Sequence, residues 1–336
     1  MGEAVKVGII GGGAVTQVAH LPVLKKLRDV EVLAICDTDL PKARALADRF
    51  GVPDAFDDIE DLIEHEALDA LVICSPTHLH ESHVLTALSA NLHVLVEKPL
   101  TMSAASAVRV ARAAEKRDRV VMVGMNHRYR PDVQIVRSFV QSGELGEVES
   151  LRGSWHSFRP TRGQLGWRQR RDQAGGGAML DLGLSIIDLG LWLVGSPAPA
   201  RVSATLDRPA RERAVEQSGS AFVVCDNGAS IFVDVTWHHI GAGERFGCGL
   251  RCSKGTAAVN PLTVWKEMHG VPTDVSPTAS GSRENAFFLS YRAQWAHFLA
   301  AISGEAAAPS LQEQVTLHRV MDALYKSAED GRDVLL

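Results

Sequence analysis

The stretch Val5-Lys6-Val7-Gly8-Ile9-Ile10-Gly11-Gly12-Gly13-Ala14-Val15-Thr16 is an apolar run that passes straight into a glycine turn. The run reads as a buried strand and the turn as the entry to a helix, the opening of a dinucleotide-binding unit. Gly11 permits the sharp strand exit. Gly13 lets the backbone approach a pyrophosphate, whose charge then rests on the amino end of the helix at Ala14 and Val15. Thr16 stands where the usual G-x-G-x-x-G pattern has its third glycine, so the turn has to be read with its surroundings. A second apolar strand, Glu31 to Asp37, ends in an acid. Its carboxylate can accept both hydroxyls of an adenosine ribose and would repel a 2′-phosphate, which favours NAD over NADP. Arg44 is the group that would suit the phosphate if it folded back, and a helix cap near Pro41 is the other reading of Asp37.

Outward from this start, apolar strands alternate with helical stretches through residue 124, at Val30 to Cys36, Ala70 to Cys74, His93 to Val96 and Val120 to Val123. That alternation is the pattern of a doubly wound parallel sheet. From Glu147 longer strands follow, Glu149 to Ser157, Val202 to Leu206, Ser220 to Cys225, Ser230 to Trp237 and Gly247 to Cys252, with Asn227-Gly228 as a hairpin signal between two of them. Residues 270 to 285 read as a surface loop before a closing helix from Asn285 to Ile302. The expected fold is therefore α/β: an N-terminal Rossmann domain over 1–124 and an α+β domain over 125–336 built on a mostly antiparallel, open sheet.

Composition narrows the partners. The chain has 336 residues with 35 Lys and Arg against 40 Asp and Glu, a net charge of −5, so no broad basic surface invites nucleic acid or a membrane. No apolar run is expected to reach the length of a membrane span, and a strand beginning at Val5 is read as leaving no room for a leader, so a cytoplasmic protein is expected. Five cysteines without C-x-x-C spacing read as reduced core thiols, with packing favoured over a metal pair for Cys248 and Cys252. His78, His80 and His83 lack an acid or cysteine to complete a metal set, so no metal is expected.

The third strand ends in Cys74-Ser75-Pro76-Thr77-His78-Leu79-His80 and the fourth in Glu97-Lys98-Pro99. Ligands of open α/β sheets sit outside the carboxyl ends of the strands, so Ser75, Pro76, Thr77 and Glu97 should flank the nicotinamide half of a dinucleotide. Together with Asn126-His127-Arg128-Tyr129-Arg130-Pro131, Gly175 to Asp188 and Ser253-Lys254-Gly255-Thr256, this order of motifs resembles the Gfo/Idh/MocA oxidoreductases over nearly the whole chain. The resemblance implies a sugar, inositol or sugar-derivative substrate and a hydride passed between its secondary hydroxyl or carbonyl and NAD. It implies that Lys98 handles the hydroxyl proton, that Pro99 follows a cis bond, and that His80 and Asn126 border the cofactor. A buried ammonium gives up its charge more easily than a solvated one, which suits a lysine to acid/base work.

The chain departs from the family where an aspartate and a histidine usually stand together. It keeps Asp181 and has Ser185 in the histidine's place. A serine can orient a hydroxyl but has no useful proton affinity near neutrality. Asp181 and Ser185 are assigned to substrate positioning, with a helix cap as the other reading of Asp181. His127, Arg128 and His156 are substrate-side candidates, packing being the alternative for the histidines. Arg159, Arg162, Arg168, Arg170 and Arg171 crowd a loop with Trp155 and Trp167; Trp167 and Arg168 would meet a sugar or its anionic group, or the loop contacts a neighbouring subunit. The exposed face of the second domain's sheet calls for cover in a homodimer or homotetramer. Two further functions fit the same motifs: a hydrolase or lyase that retains NAD and oxidises its sugar transiently, and a non-catalytic NAD-binding regulator.

Overall fold

A computed structural model describes residues 3–64, 68–159, 166–207, 214–277 and 284–336. The chain forms two compact units. In the first, strands β1 (Val5–Ile10), β2 (Val30–Cys36), β3 (Asp54–Phe56), β4 (Ala70–Ile73), β5 (His93–Glu97) and β6 (Val121–Gly124) make a sheet in the order β3-β2-β1-β4-β5-β6, every pair parallel. The β-branched and leucine residues of β4 and the centre of β5 are fully buried, as strands covered on both faces require. Helices α1 (Leu21–Leu24), α2 (Leu40–Phe50), α3 (Ile59–Glu64), α4 (His80–Ser89) and α5 (Ala104–Ala114) join them. Asp39 caps α2 by accepting the Lys42 N–H, so the capping role considered for Asp37 belongs to its neighbour. The order reverses between β2 and β4 on either side of β1, the position at which such sheets open a ligand crevice.

The second unit begins at His127. It contains α6 (Pro131–Gln141), β7 (Val148–His156), α7 (Arg171–Ala174), α8 (Leu184–Val194) and strands β8 (Pro199–Leu206), β9 (Ser218–Cys225), β10 (Ser230–Thr236), β11 (Arg245–Cys252), β12 (Gly255–Val259), β13 (Thr263–Met268) and β14 (Val271–Asp274). With the terminal β15 (Val334–Leu335) these strands form a sheet in the order β14-β13-β12-β11-β7-β10-β9-β8-β15. All pairs are antiparallel except β7 with β10, so the sheet is mostly antiparallel as expected. Asn227-Gly228 turns β9 into β10, with Gly228 at φ 84°. Alternation along β10 buries Ile231, Val233 and Val235 and leaves Phe232 and Asp234 on the other face. On β11, Cys248 and Cys252 both point into the core, four residues apart along an extended chain. They therefore stand roughly 13 Å apart, too far to share a metal.

Three features depart from the sequence reading. Helix α9 (Ala286–Ile302), expected in the second domain, packs in the first unit, which takes in Phe287–Val315 after the residues through Asn126. The cause is local: Tyr291, Trp295 and Phe298 form its buried stripe, and the first two meet the His20 ring edge to face. The expected loop from 270 holds β14, while residues 278–283 lie outside the described ones; α10 (Leu311–Asp330) follows α9. Finally, the stretch Arg171–Val194 is long and apolar enough to cross a membrane by length and composition, but 83% of its most apolar window is buried inside the protein, the signature of a core helix.

Candidate active site

In the first unit the glycine turn is sterically committed. Gly11 has φ +95°, and a Cβ there would stand 2.6 Å from the Cys74 carbonyl oxygen and 2.8 Å from the Ser75 nitrogen. Strands β1 and β4 are thus in backbone contact where the crevice opens. A Cβ on Gly13 would meet nothing within 4 Å among the described residues, so the backbone is open there to an approaching group. Ala14 and Val15 begin the helix and a single π turn follows at Thr16–His20. Thr16 is fully buried and donates to the Gly11 carbonyl at 2.5 Å, bracing the turn in place of a third glycine.

Asp37 lies beside this turn. Its Oδ2 accepts the Gly12 N–H at 2.8 Å and meets the Lys42 ammonium at 2.6 Å, while Oδ1 accepts the Asp39 N–H at 3.0 Å. Lys42, which spacing alone did not single out, is the cation at the acid; Arg44 is exposed on α2. An open glycine backbone at a helix start and a carboxylate with lone pairs to spare fit a dinucleotide.

The carboxyl ends of β4 and β5 are tied together by buried histidines. His80 faces the Pro99 carbonyl with Nδ1 at 2.8 Å and the Ser75 carbonyl with Nε2 at 2.9 Å; burial lowers its pKa against these two contacts. Ser75 is 3.0 Å from His83 Nδ1, and Thr77 is buried in the short helical turn after Pro76. Lys98 is half-buried between buried Glu97 and Pro99, and the Lys98–Pro99 peptide is cis. Asn126 is buried and donates to Ser290 of α9 at 3.1 Å.

Behind Glu97 is a group of residues that no local pattern announces. His20 is fully buried, with Nε2 2.9 Å from Glu97 Oε1 and Nδ1 accepting the Trp295 indole N–H at 3.1 Å. Its ionisation is pulled both ways. Burial disfavours the imidazolium, while Cys74 and Glu97 favour it and pull the pKa upward. The indole can only donate, however, and needs the Nδ1 lone pair that a second proton would occupy. The hydrogen-bond geometry decides for the neutral ring that gives Nε2–H to Glu97.

In the second unit, Gly175-Gly176-Gly177 lead into another π turn, Met179–Gly183, which runs on into α8. Asp181 lies in the π turn and Ser185 in the first turn of α8, so the two are separated by widened helix rather than by one α turn. Ser185 is buried. Asp181 is paired with Arg159 at 2.8 Å, whose guanidinium also lies 5.1 Å from the Trp237 ring. One arginine of the crowded loop therefore reaches the acid directly. Arg168 stacks on Trp167 at 4.3 Å, Arg170 bonds Gln173, and Arg162 lies outside the described residues.

The other substrate-side candidates are dispersed. His127 packs between Trp155 and Phe246, with ring centroids 4.8 and 4.6 Å away. Arg128 forms a buried two-pronged pair with Asp188 of α8 at 2.6 and 2.8 Å. His156 pairs with Asp234 at 2.8 Å on the sheet face opposite buried Leu151 and Val233, and so is not brought to Asp181.

Residues 5–125 match the model of an oxidoreductase family with an NAD-binding Rossmann fold, and residues 133–258 match the GFO/IDH/MocA C-terminal domain. The chain is similar to D-xylose 1-dehydrogenase (NADP(+)) 2 of Haloferax volcanii, 30% identical over 98% of this chain and 99% of that protein. It is 32% identical to D-glucoside 3-dehydrogenase of Escherichia coli over 59% of this chain, and the matched part spans 56% of that protein. Among solved structures it is similar to GenD2 from gentamicin A biosynthesis in complex with NAD, with 26% identity and TM-score 0.86 over 100% of this chain and 97% of that one. The fold is also that of levoglucosan dehydrogenase in complex with NADH and levoglucosan, TM-score 0.89 at 21% identity over 99% of both chains.

Proposed function

The chain belongs to the GFO/IDH/MocA oxidoreductase family, and we propose that it is a dehydrogenase that moves a hydride between NAD and a secondary hydroxyl or carbonyl of a sugar, inositol or related polyol. The observation that carries this reading is the crevice edge of the first unit. There a sterically committed glycine turn, an acid at the end of β2 and Lys98 at the end of β5 are all intact. Gly11, Gly13, Ala14, Val15 and Asp37 would hold the adenosine and pyrophosphate, and Ser75, Pro76, Thr77, His80, Glu97 and Asn126 would border the nicotinamide. The bound nicotinamide supplies the acceptor or donor of hydride. Lys98 takes the proton from the substrate hydroxyl on oxidation and returns it on reduction, work for which a placed acid/base contributes roughly 10² to 10⁴ in rate. Glu97, held by His20, fixes the chain on one side of the lysine. Asp181 and Ser185 orient the substrate, and Arg159 holds the carboxylate of Asp181.

The names of relatives point to sugars, and the negative charge of Asp37 favours NAD, although the Haloferax volcanii relative is named for NADP. The outer sheet face, where Phe222 stacks on Phe232 at 4.4 Å beneath Arg152, favours a homodimer or homotetramer. The protein is read as cytoplasmic. The test is NADH formation from NAD over a panel of inositols, sugars, sugar acids and sugar nucleotides, with Lys98→Met alongside. A signal lost in the variant while NAD still binds supports the reading; a signal that survives Lys98→Met overturns the role of the lysine.

A further inference from the structure

The turn Gly175 to Gly177 is shaped by two residues far along the chain. Glu216 is 5% exposed, and a single oxygen, Oε1, accepts the Gly177 N–H at 2.8 Å, the Met179 N–H at 3.0 Å and the Tyr325 hydroxyl at 2.8 Å. Its backbone carbonyl takes the Ala178 N–H at 3.0 Å. Three successive donors at the start of a helix, which have no partner within the helix, are satisfied by one residue. The glycines follow from this arrangement. A Cβ on Gly176 would stand 1.9 Å from the Tyr325 hydroxyl oxygen, and one on Gly177 would stand 1.9 Å from the Glu216 carbonyl oxygen. Burial raises the Glu216 pKa, against the Tyr325 hydroxyl and the amides that favour its charge. A carboxylate at a helix start also complements the helix dipole.

We propose that Glu216 and Tyr325 are positioning residues for the substrate-side acid: together they fix the turn from which Asp181 is presented, making α10 part of the site's support. Asp181 N–H bonds the Gly177 carbonyl at 2.8 Å, so a shift of the turn moves the aspartate with it. The inference rests on the reading of Asp181 as a substrate-positioning group. Because all three side-chain bonds converge on one oxygen, an amide with its oxygen in that place preserves them, whereas a methyl group preserves none.

The test compares Glu216→Gln, Glu216→Ala and Tyr325→Phe in the full chain by amide hydrogen exchange at Gly177 and Met179 and by steady-state kinetics. Glu216→Ala and Tyr325→Phe should speed exchange at these two amides about tenfold, in line with the loss of one or more hydrogen bonds. They should lower kcat/KM by a similar factor while NAD affinity is unchanged, and Glu216→Gln should restore both. Should Glu216→Ala fail to fold, Tyr325→Phe carries the test, since it removes one hydroxyl. Unchanged exchange in Tyr325→Phe overturns the proposal whatever the enzyme does. Faster exchange with unchanged kcat/KM also overturns it, and Asp181→Ala in the same assay then tells which part failed. If that variant is fully active, the reading of Asp181 was wrong; if it is impaired, the support from Glu216 and Tyr325 was.

Discussion

Trp295 donates its indole N–H to His20 Nδ1 at 3.1 Å, and the ring it fixes gives its other nitrogen to Glu97. The donor decides the charge of a histidine whose carboxylate and thiol neighbours pull the other way. In Trp295→Phe only burial still opposes that pull, and the ring should take a second proton. Nitrogen NMR of labelled histidine at neutral pH should show one protonated nitrogen and one lone pair for His20 in the wild type, and two protonated nitrogens in the variant. Two protonated nitrogens already present in the wild type would refute the tautomer.

The same relationship shows where sequence reasoning stops. The turn at Gly11, the acid at Asp37 and the strand ends at Ser75 and Glu97 were legible because each depends on a local period or on chemistry a few residues away. Trp295 and His20 are 275 residues apart, and His20 and Glu97 are 77 apart. A buried histidine and tryptophan at such separations read as ordinary core until the chain is folded. Arg159 was visible as one of several loop arginines, but its choice of Asp181 was not, since spacing does not select among like charges. The placement of α9 was misread for a related reason. Its apolar stripe says that it is buried, not against which sheet.

Cofactor choice should turn on Asp37 and Lys42. Asp37→Asn keeps an oxygen for the Gly12 N–H while removing the charge that repels a 2′-phosphate, and it frees Lys42 from its 2.6 Å ion pair to meet that phosphate. Calorimetric titration should show NADP affinity rising relative to NAD by at least tenfold, about 1.4 kcal/mol. Adding Lys42→Ala should reverse the part of the gain that the freed ammonium supplies. Tighter binding of NADP than NAD by the wild type would contradict this account.

Acid stability should carry the mark of His83. Burial, assisted by His80 and His78, lowers its pKa from 6.5 to about 4. Between those values the unfolded chain binds a proton that the native state refuses, so stability falls as pH drops from 6.5 to about 4, and this group adds no slope above 6.5. The side chain is partly in water, which limits the loss to about 2 kcal/mol. Denaturant melts across this window should show a shallower acid slope in His83→Gln than in the wild type; equal slopes would remove His83 from the account.

The two outer glycines of the first turn should separate folding from binding. At Gly11 an added Cβ would be driven into the Cys74 carbonyl at 2.6 Å from a backbone with φ +95°, so Gly11→Ala should destabilise the protein by about 3 kcal/mol. At Gly13 an added Cβ would meet nothing within 4 Å among the described residues, and the backbone does not occupy the left-handed region. Gly13→Ala should therefore melt within about 0.5 kcal/mol of the wild type. Its methyl group would nonetheless fill the space that a pyrophosphate needs, and NAD affinity should fall at least tenfold, about 1.4 kcal/mol. Melting curves and NAD titrations of both variants make the comparison. If Gly13→Ala bound NAD as well as the wild type does, the open backbone at Gly13 would not be the cradle, and the cofactor reading of the turn would have to be abandoned.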